Sequence, residues 1–144
     1  MKTRSEVFQF EKELKWEHPA PGIRRQIMGY DGQLMMVKVE FEKGAVGTLH
    51  EHYHSQATYV ASGKFELTIG DRKEILSTGD GYYVAPDEPH GCVCLEAGVL
   101  IDTFSPMRAD FLEYFLMNGR LPDNDGINLP HIWYFLSTKT ALSL

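Results

Sequence analysis

Thr48-Leu49-His50-Glu51-His52-Tyr53-His54-Ser55-Gln56 decides how this chain is read, because it sets three of the six histidines at alternate positions. In an extended strand successive side chains point to opposite faces, so His50 and His52 share a face and can converge on one point. Gln56 follows closely, and His90 stands downstream behind Pro86 and Pro89. Imidazoles converging from two strands, with one oxygen donor, are a recipe for a divalent transition metal. The full spacing is Gly44-x5-His50-x-His52-x3-Gln56-x6-Gly63, then Gly79-x10-His90. Solvated histidines at a strand rim would explain one such residue. They do not explain this grouping.

Outward from that stretch, short alternating segments dominate the first 105 residues. Strands are predicted at 23–28, 34–41, 48–52, 57–61, 65–69, 73–76, 82–84, 92–95 and 99–104. Turn signals separate them at Asp31-Gly32, Lys43-Gly44, Ser62-Gly63, Gly70-Asp71, Thr78-Gly79 and Ala97-Gly98. Many short strands at close spacing imply an all-β sandwich or small barrel, with no βαβ alternation and no repeat. Residues 108–117 (RADFLEYFLM) carry a helical spacing of apolar residues that Asn118-Gly119 would stop. Residues 119–130 read as a loop. The apolar 131–136 (HIWYFL) reads as a surface that packs on the barrel or on a second subunit.

The chain has 144 residues, about one domain, with 43% hydrophobic and 24% charged residues. Its net charge is −6, and no basic stripe stands out, which argues against nucleic-acid binding. An acidic chain can still capture an acidic small molecule through one buried arginine. No apolar run is long enough for a membrane helix, and the N-terminal stretch lacks the apolar core of a secretory signal. Cys92 and Cys94 share a strand face, poor geometry for a bridge, so a reducing cytoplasm is the expected setting.

The histidine pattern resembles the two motifs of the cupin superfamily, small double-stranded antiparallel β-barrels (jelly rolls) with a metal inside. The resemblance places His50, His52, Gln56 and His90 in the four ligand positions. Two departures stand out. Gln56 replaces the usual Glu, which leaves the ion's charge less compensated and favours an anionic substrate. The second motif lacks its Gly, reading Pro86-Asp87-Glu88-Pro89-His90. Within the superfamily, residues 22–30, 39–47, 50–56, 59–66 and 102–108 (DTFSPMR) are similar to the pectin-degradation (KdgF-type) cupins. The division this implies is a cupin barrel with an N-terminal arm over 1–112 and a C-terminal extension, helical or irregular, over 113–144.

Members of that group linearise unsaturated monouronates. The cyclic substrate is an enol ether of a hemiacetal, and opening it gives an aldehyde at carbon 1 and an enol at carbon 5. Protonation at carbon 4 completes the ketone, an isomerisation without change of composition. The resemblance makes Asp102 the acid/base, at the end of the apolar run Val99-Leu100-Ile101. Arg108 can pair with a carboxylate through its planar fork, and Phe104, two residues from Asp102, can stack on the sugar ring. Read without the resemblance, Asp102 is a strand-end cap or ion-pair partner, Arg108 a surface residue and Phe104 core.

Arg24 and Arg25 are further carboxylate candidates, of which an alternating strand can turn only one inward. His54 is either a residue that orients a ligand or an exposed strand histidine. Cys92 and Cys94 are more simply small buried residues than ligands. Nickel, zinc, iron and manganese all suit the one-metal site. Two other functions fit the motif: a mononuclear-iron cupin dioxygenase, and a non-catalytic uronate- or sugar-binding cupin. A homodimer through edge strands and the apolar tail is expected.

Overall fold

The computed structural model describes residues 4–115, and for 113–115 the backbone only. The remainder of the predicted 113–144 extension, with its 131–136 segment, lies outside the described residues. Eight antiparallel strands run β1 (Glu17–Ala20), β2 (Ile23–Tyr30), β3 (Met35–Phe41), β4 (Val46–His50), β5 (Ser55–Ile69), β6 (Arg72–Ser77), β7 (Gly81–Val84) and β8 (His90–Ser105). The main path is β1-β2-β3-β8-β5-β6, with β4 paired to β8 and β7 to β5.

The two long strands organise the rest. The first part of β5 pairs with the last part of β8 (Ser55↔Ser105 to Val60↔Leu100), and its second part with the start of β8 (Phe65↔Cys94 to Ile69↔His90). β3 and β7 join the former half, and β4 and β6 the latter. This is the expected antiparallel jelly roll. Between the halves, Ser62-Gly63 and Ala97-Gly98 are bends inside continuous strands, which corrects their reading as turns. Gly63 has φ +85°, and a Cβ there would lie 2.6 Å from the Glu96 carbonyl oxygen and from Gly98 Cα. A Cβ on Gly98 would overlap the Ser62 carbonyl oxygen. Two glycines let the paired strands cross the fold together where a side chain on either would separate them.

The core lies inside the bent sheet. Met35, Val37, Val39 and Phe41 alternate inward along β3, and Val60, Phe65, Leu67, Leu100 and Phe104 meet them. Phe41 and Phe65 pack edge to face with ring centroids 5.2 Å apart, joining the two halves. Each such aromatic contributes about 1.5–3 kcal/mol through burial.

Three further differences from the sequence reading concern local elements. β4 ends at His50, so His52 sits in the following loop. Residues Ala109–Phe115 form 3-10 turns with a kink at Leu112, in place of the predicted helix. β1 was not anticipated, its Pro19 being an edge-strand residue that cannot donate to a ladder. Outside β2 a 3-10 turn (Glu11–Glu13) is fastened by buried Gln26, whose Nε2 donates to the carbonyls of Glu11 (3.0 Å) and Leu14 (3.2 Å). Among the described residues no helix is long and apolar enough to cross a membrane.

Candidate active site

His50 closes β4 and His90 opens β8, directly opposite each other in register. With His52 from the adjoining loop, they place one ring nitrogen each within 4.8 Å of one another. In each ring Nδ1 faces a main-chain carbonyl: Thr48 for His50 (2.8 Å), His54 for His52 (3.2 Å) and Glu88 for His90 (2.9 Å). A carbonyl only accepts, so Nδ1 carries the proton and Nε2 presents a lone pair. Burial lowers all three pKa values, to about 3 for His52 and about 4 for His90. The rings are therefore neutral donors.

Two further observations fit a cation here. Nε2 of His90 is buried without a hydrogen-bond partner. Oε1 of Gln56 lies 3.1 Å from Nε2 of His52. The Gln56 amide nitrogen is directed elsewhere, to Thr58 Oγ1 (3.0 Å) and Asp102 Oδ1 (3.4 Å), so two lone pairs face each other. Such a pair costs free energy unless a positive centre lies beside it. Three histidines are thus positioned for a single metal ion, with Gln56 Oε1 beside them.

Gln56 leads onward to a carboxyl. Thr58 faces Asp102 across the β5–β8 ladder, and its hydroxyl donates to Asp102 Oδ1 at 2.7 Å while accepting from Gln56. Burial pushes the Asp102 carboxyl up to about 6, against the opposing influences of Thr58, Arg108, Gln56 and Arg25. Tyr82, also engaged by Thr58, is raised well above the ordinary tyrosine value by burial. Thr58 and Tyr82 were not singled out in the sequence. The signal for Thr58 was its parity with Gln56, which puts both on one face of the strand.

His50, His90, Gln56, Asp102 and Tyr82 line a cavity of about 280 Å³ whose wall also includes Phe104, Arg108, Arg25 and Phe111. Phe104 is buried, packs edge-on to His52 (5.7 Å between centroids) and shares the cavity with Asp102. Arg108 lies over Phe104 and Phe111, and Asp110 holds its Nε (2.9 Å) and Nη2 (2.7 Å) in a bidentate pair. Of the adjacent arginines, Arg25 faces the cavity. Arg24 points outward, over Trp16 and paired with Glu40 at 2.7 Å. His54 is buried, stacks on Tyr53 (4.0 Å) and orients His52 through its main-chain carbonyl. Cys92 lines the cavity as a thiol that burial raises to about 11, while Cys94 is buried against main-chain carbonyls. Neither joins the histidine group.

Known proteins share this architecture. The family described as Cupin domain matches residues 37–104. The pectin degradation protein KdgF of Dickeya dadantii (strain 3937) is 55% identical over 102 residues, 69% of this chain and 93% of that protein. The chain belongs to the KdgF family of cupins. Among solved structures, KdgF from Halomonas sp. is similar with a TM-score of 0.70 at 40% identity, covering 74% of this chain and 99% of that one. An RmlC-like cupin from Shewanella frigidimarina NCIMB 400 has a TM-score of 0.74 at 43% identity, covering 76% and 99%. The likeness thus extends over almost the whole length of these relatives.

Proposed function

We propose that this chain is a metal-dependent isomerase that opens the ring of 4,5-unsaturated monouronates to linear keto uronates, as a step of pectin or alginate breakdown. One observation carries the reading. Gln56 and Thr58 link a three-histidine cluster to the Asp102 carboxyl, and His50, His90, Gln56 and Asp102 line one small cavity with two guanidinium groups in its wall. The kinship with a pectin degradation protein supplies the substrate class. A space of about 280 Å³ suits one sugar ring better than a polymer.

Ring opening removes a proton from the carbon-1 hydroxyl and forms the aldehyde as the bond from carbon 1 to the ring oxygen breaks. That electron pair stays on the oxygen at carbon 5 as an enol or enolate. A proton then arrives at carbon 4, and the ketone forms. Proton loss and gain balance, so a residue that accepts at one step and donates at the other returns to its starting state. Asp102 fills that role, held by the Thr58 hydroxyl. Phe104 supplies an apolar wall for the ring, and Arg108, fixed by Asp110, contributes positive charge where the oxygen becomes negative.

His50, His52, His90 and Gln56 would hold the metal, which supplies Lewis-acid stabilisation of oxygen charge. The two free thiols accord with a reducing cytoplasm. The exposed Tyr59, Ile75 and Tyr83 favour a homodimer, which light scattering would test.

The test follows loss of the short-ultraviolet absorbance of the conjugated enol ether, using the monouronate released by a pectate or alginate lyase. Wild-type protein should outpace the spontaneous reaction. Chelated protein and Asp102→Asn should not. No acceleration by metal-loaded wild type would end the isomerase reading.

A further inference from the structure

The arginine that a sequence reading favours for a carboxylate is already engaged. Asp110 takes Nε and Nη2 of Arg108 at 2.9 and 2.7 Å, with the two side chains only 11% and 17% exposed. A bidentate pair so enclosed occupies the Nε and Nη2 donors that Arg108 could turn to a ligand carboxylate, although its charge still reaches Asp102. Arg25 differs. Among the described residues its one carboxylate bond runs from Nε to Glu17 at a longer 3.2 Å, and Glu17 is 31% exposed, so water screens its counter-charge. Among the described residues no carboxylate takes the Nη edge of Arg25, which is left for a ligand.

The Arg25 guanidinium is also preorganised. It lies 3.8 Å from the centroid of Phe111, the ring that Arg108 also covers at 4.2 Å. Packing over the ring restricts the rotation of a long side chain. Arg25 shares the inward parity of Ile23 on β2, and both line the cavity that contains Asp102 and His90. Its charge reaches Asp102, whose carboxyl it helps to lower.

We infer that Arg25 is the specificity-determining residue that receives the substrate's carboxylate through its open guanidinium edge. This rests on the uronate reading of the site and deepens it. An anionic sugar is then held at the β2 side of the cavity, with Arg108 left as a fixed charge beside Phe104. The contact exists before and during the reaction. It therefore stabilises ground and transition states alike and is read in KM more than in kcat.

The experiment compares wild type, Arg25→Met, Arg25→Lys and Arg24→Met as full-length metal-loaded proteins. Steady-state kinetics use the unsaturated monouronate, and calorimetry measures binding of D-galacturonate against uncharged D-galactose. Arg25→Met should raise KM about 10- to 100-fold with kcat changed less than about threefold. It should also lose the preference for galacturonate. Arg24→Met, on the outward face, should match wild type.

Wild-type KM and preference in Arg25→Met would overturn the inference, as would a fall in kcat alone. If Arg25→Met does not fold, Arg25→Lys decides, because lysine keeps the charge without the fork. A raised KM supports the inference and an unchanged one overturns it. The two readings fail separately. A wild type that binds galacturonate over galactose through Arg25 but turns nothing over removes the isomerase and keeps the carboxylate site. Turnover indifferent to Arg25 does the reverse.

Discussion

Gln56 does two jobs that a glutamate in its place could not combine. Its Oε1 faces Nε2 of His52 at 3.1 Å, while its amide nitrogen donates toward Thr58 and Asp102. In Gln56→Glu both oxygens only accept, and a second negative charge comes to lie beside the Asp102 carboxyl. The variant should keep or gain metal, measured per chain by elemental analysis, and lose about 10- to 100-fold in kcat. Full activity would show that the amide donor is dispensable. Thr58 is tested in the same way. Thr58→Val removes the 2.7 Å donor to Asp102 while preserving volume, and should cost about 5- to 100-fold in kcat/KM with metal content intact. Thr58→Ser should restore most of that loss, an outcome that a packing role for the methyl group would not give.

At the scale of the element, the bend shared by β5 and β8 carries Asp102 and Phe104 to the cavity, and two glycines permit it. Gly44→Ala and Gly63→Ala separate the two causes of glycine dependence. Gly44 has φ +84° with nothing within 4 Å of a new Cβ, so alanine there meets only the left-handed strain, about 1–2 kcal/mol. Gly63 adds main-chain atoms at 2.6–2.7 Å on the partner strand, and the total should reach about 3 kcal/mol or more. Denaturant unfolding at fixed metal concentration measures both, and equal costs would refute the steric account.

The same glycines mark where the sequence was legible and where it was not. Alternation located the strand cores, because burial on one face leaves a period of two. A glycine, however, permits a hairpin turn and a mid-strand bend equally, so Ser62-Gly63 and Ala97-Gly98 could not be told from turns without the pairing partner. The histidine cluster was legible because its ligand types are scarce and grouped. The choice between Arg24 and Arg25 was not, since it depends on which face of β2 meets the core, and Arg25↔Val39 pairing settles that only in three dimensions.

The whole molecule is acidic, with a net charge of −6, and its proposed ligand is an anion, so local cations must act against the overall field. The histidine centre adds an acid sensitivity of its own. In the chelated protein His52 and His90 have pKa values near 3 and 4, depressed by burial from an ordinary 6.5. Between those limits the unfolded chain binds more protons than the folded one, so stability falls as pH drops through that range. Asp102, raised to about 6, acts the other way, since the folded state takes up its proton first. Two histidines outweigh one carboxyl.

Metal should add to the acid sensitivity only below these histidine pKa values, because it binds only neutral imidazoles, and above them it stabilises the folded chain by about 2.7 kcal/mol at a hundredfold excess over Kd. Thermal melts of loaded and chelated protein should therefore differ by several degrees from pH 7.5 down to about pH 5 and converge only as the pH falls through 4 toward 3. His52→Gln should narrow the gap at every pH. A gap already lost at pH 5, where the His52 and His90 imidazoles are still neutral, or one unchanged in His52→Gln, would place the ion somewhere other than among His50, His52 and His90.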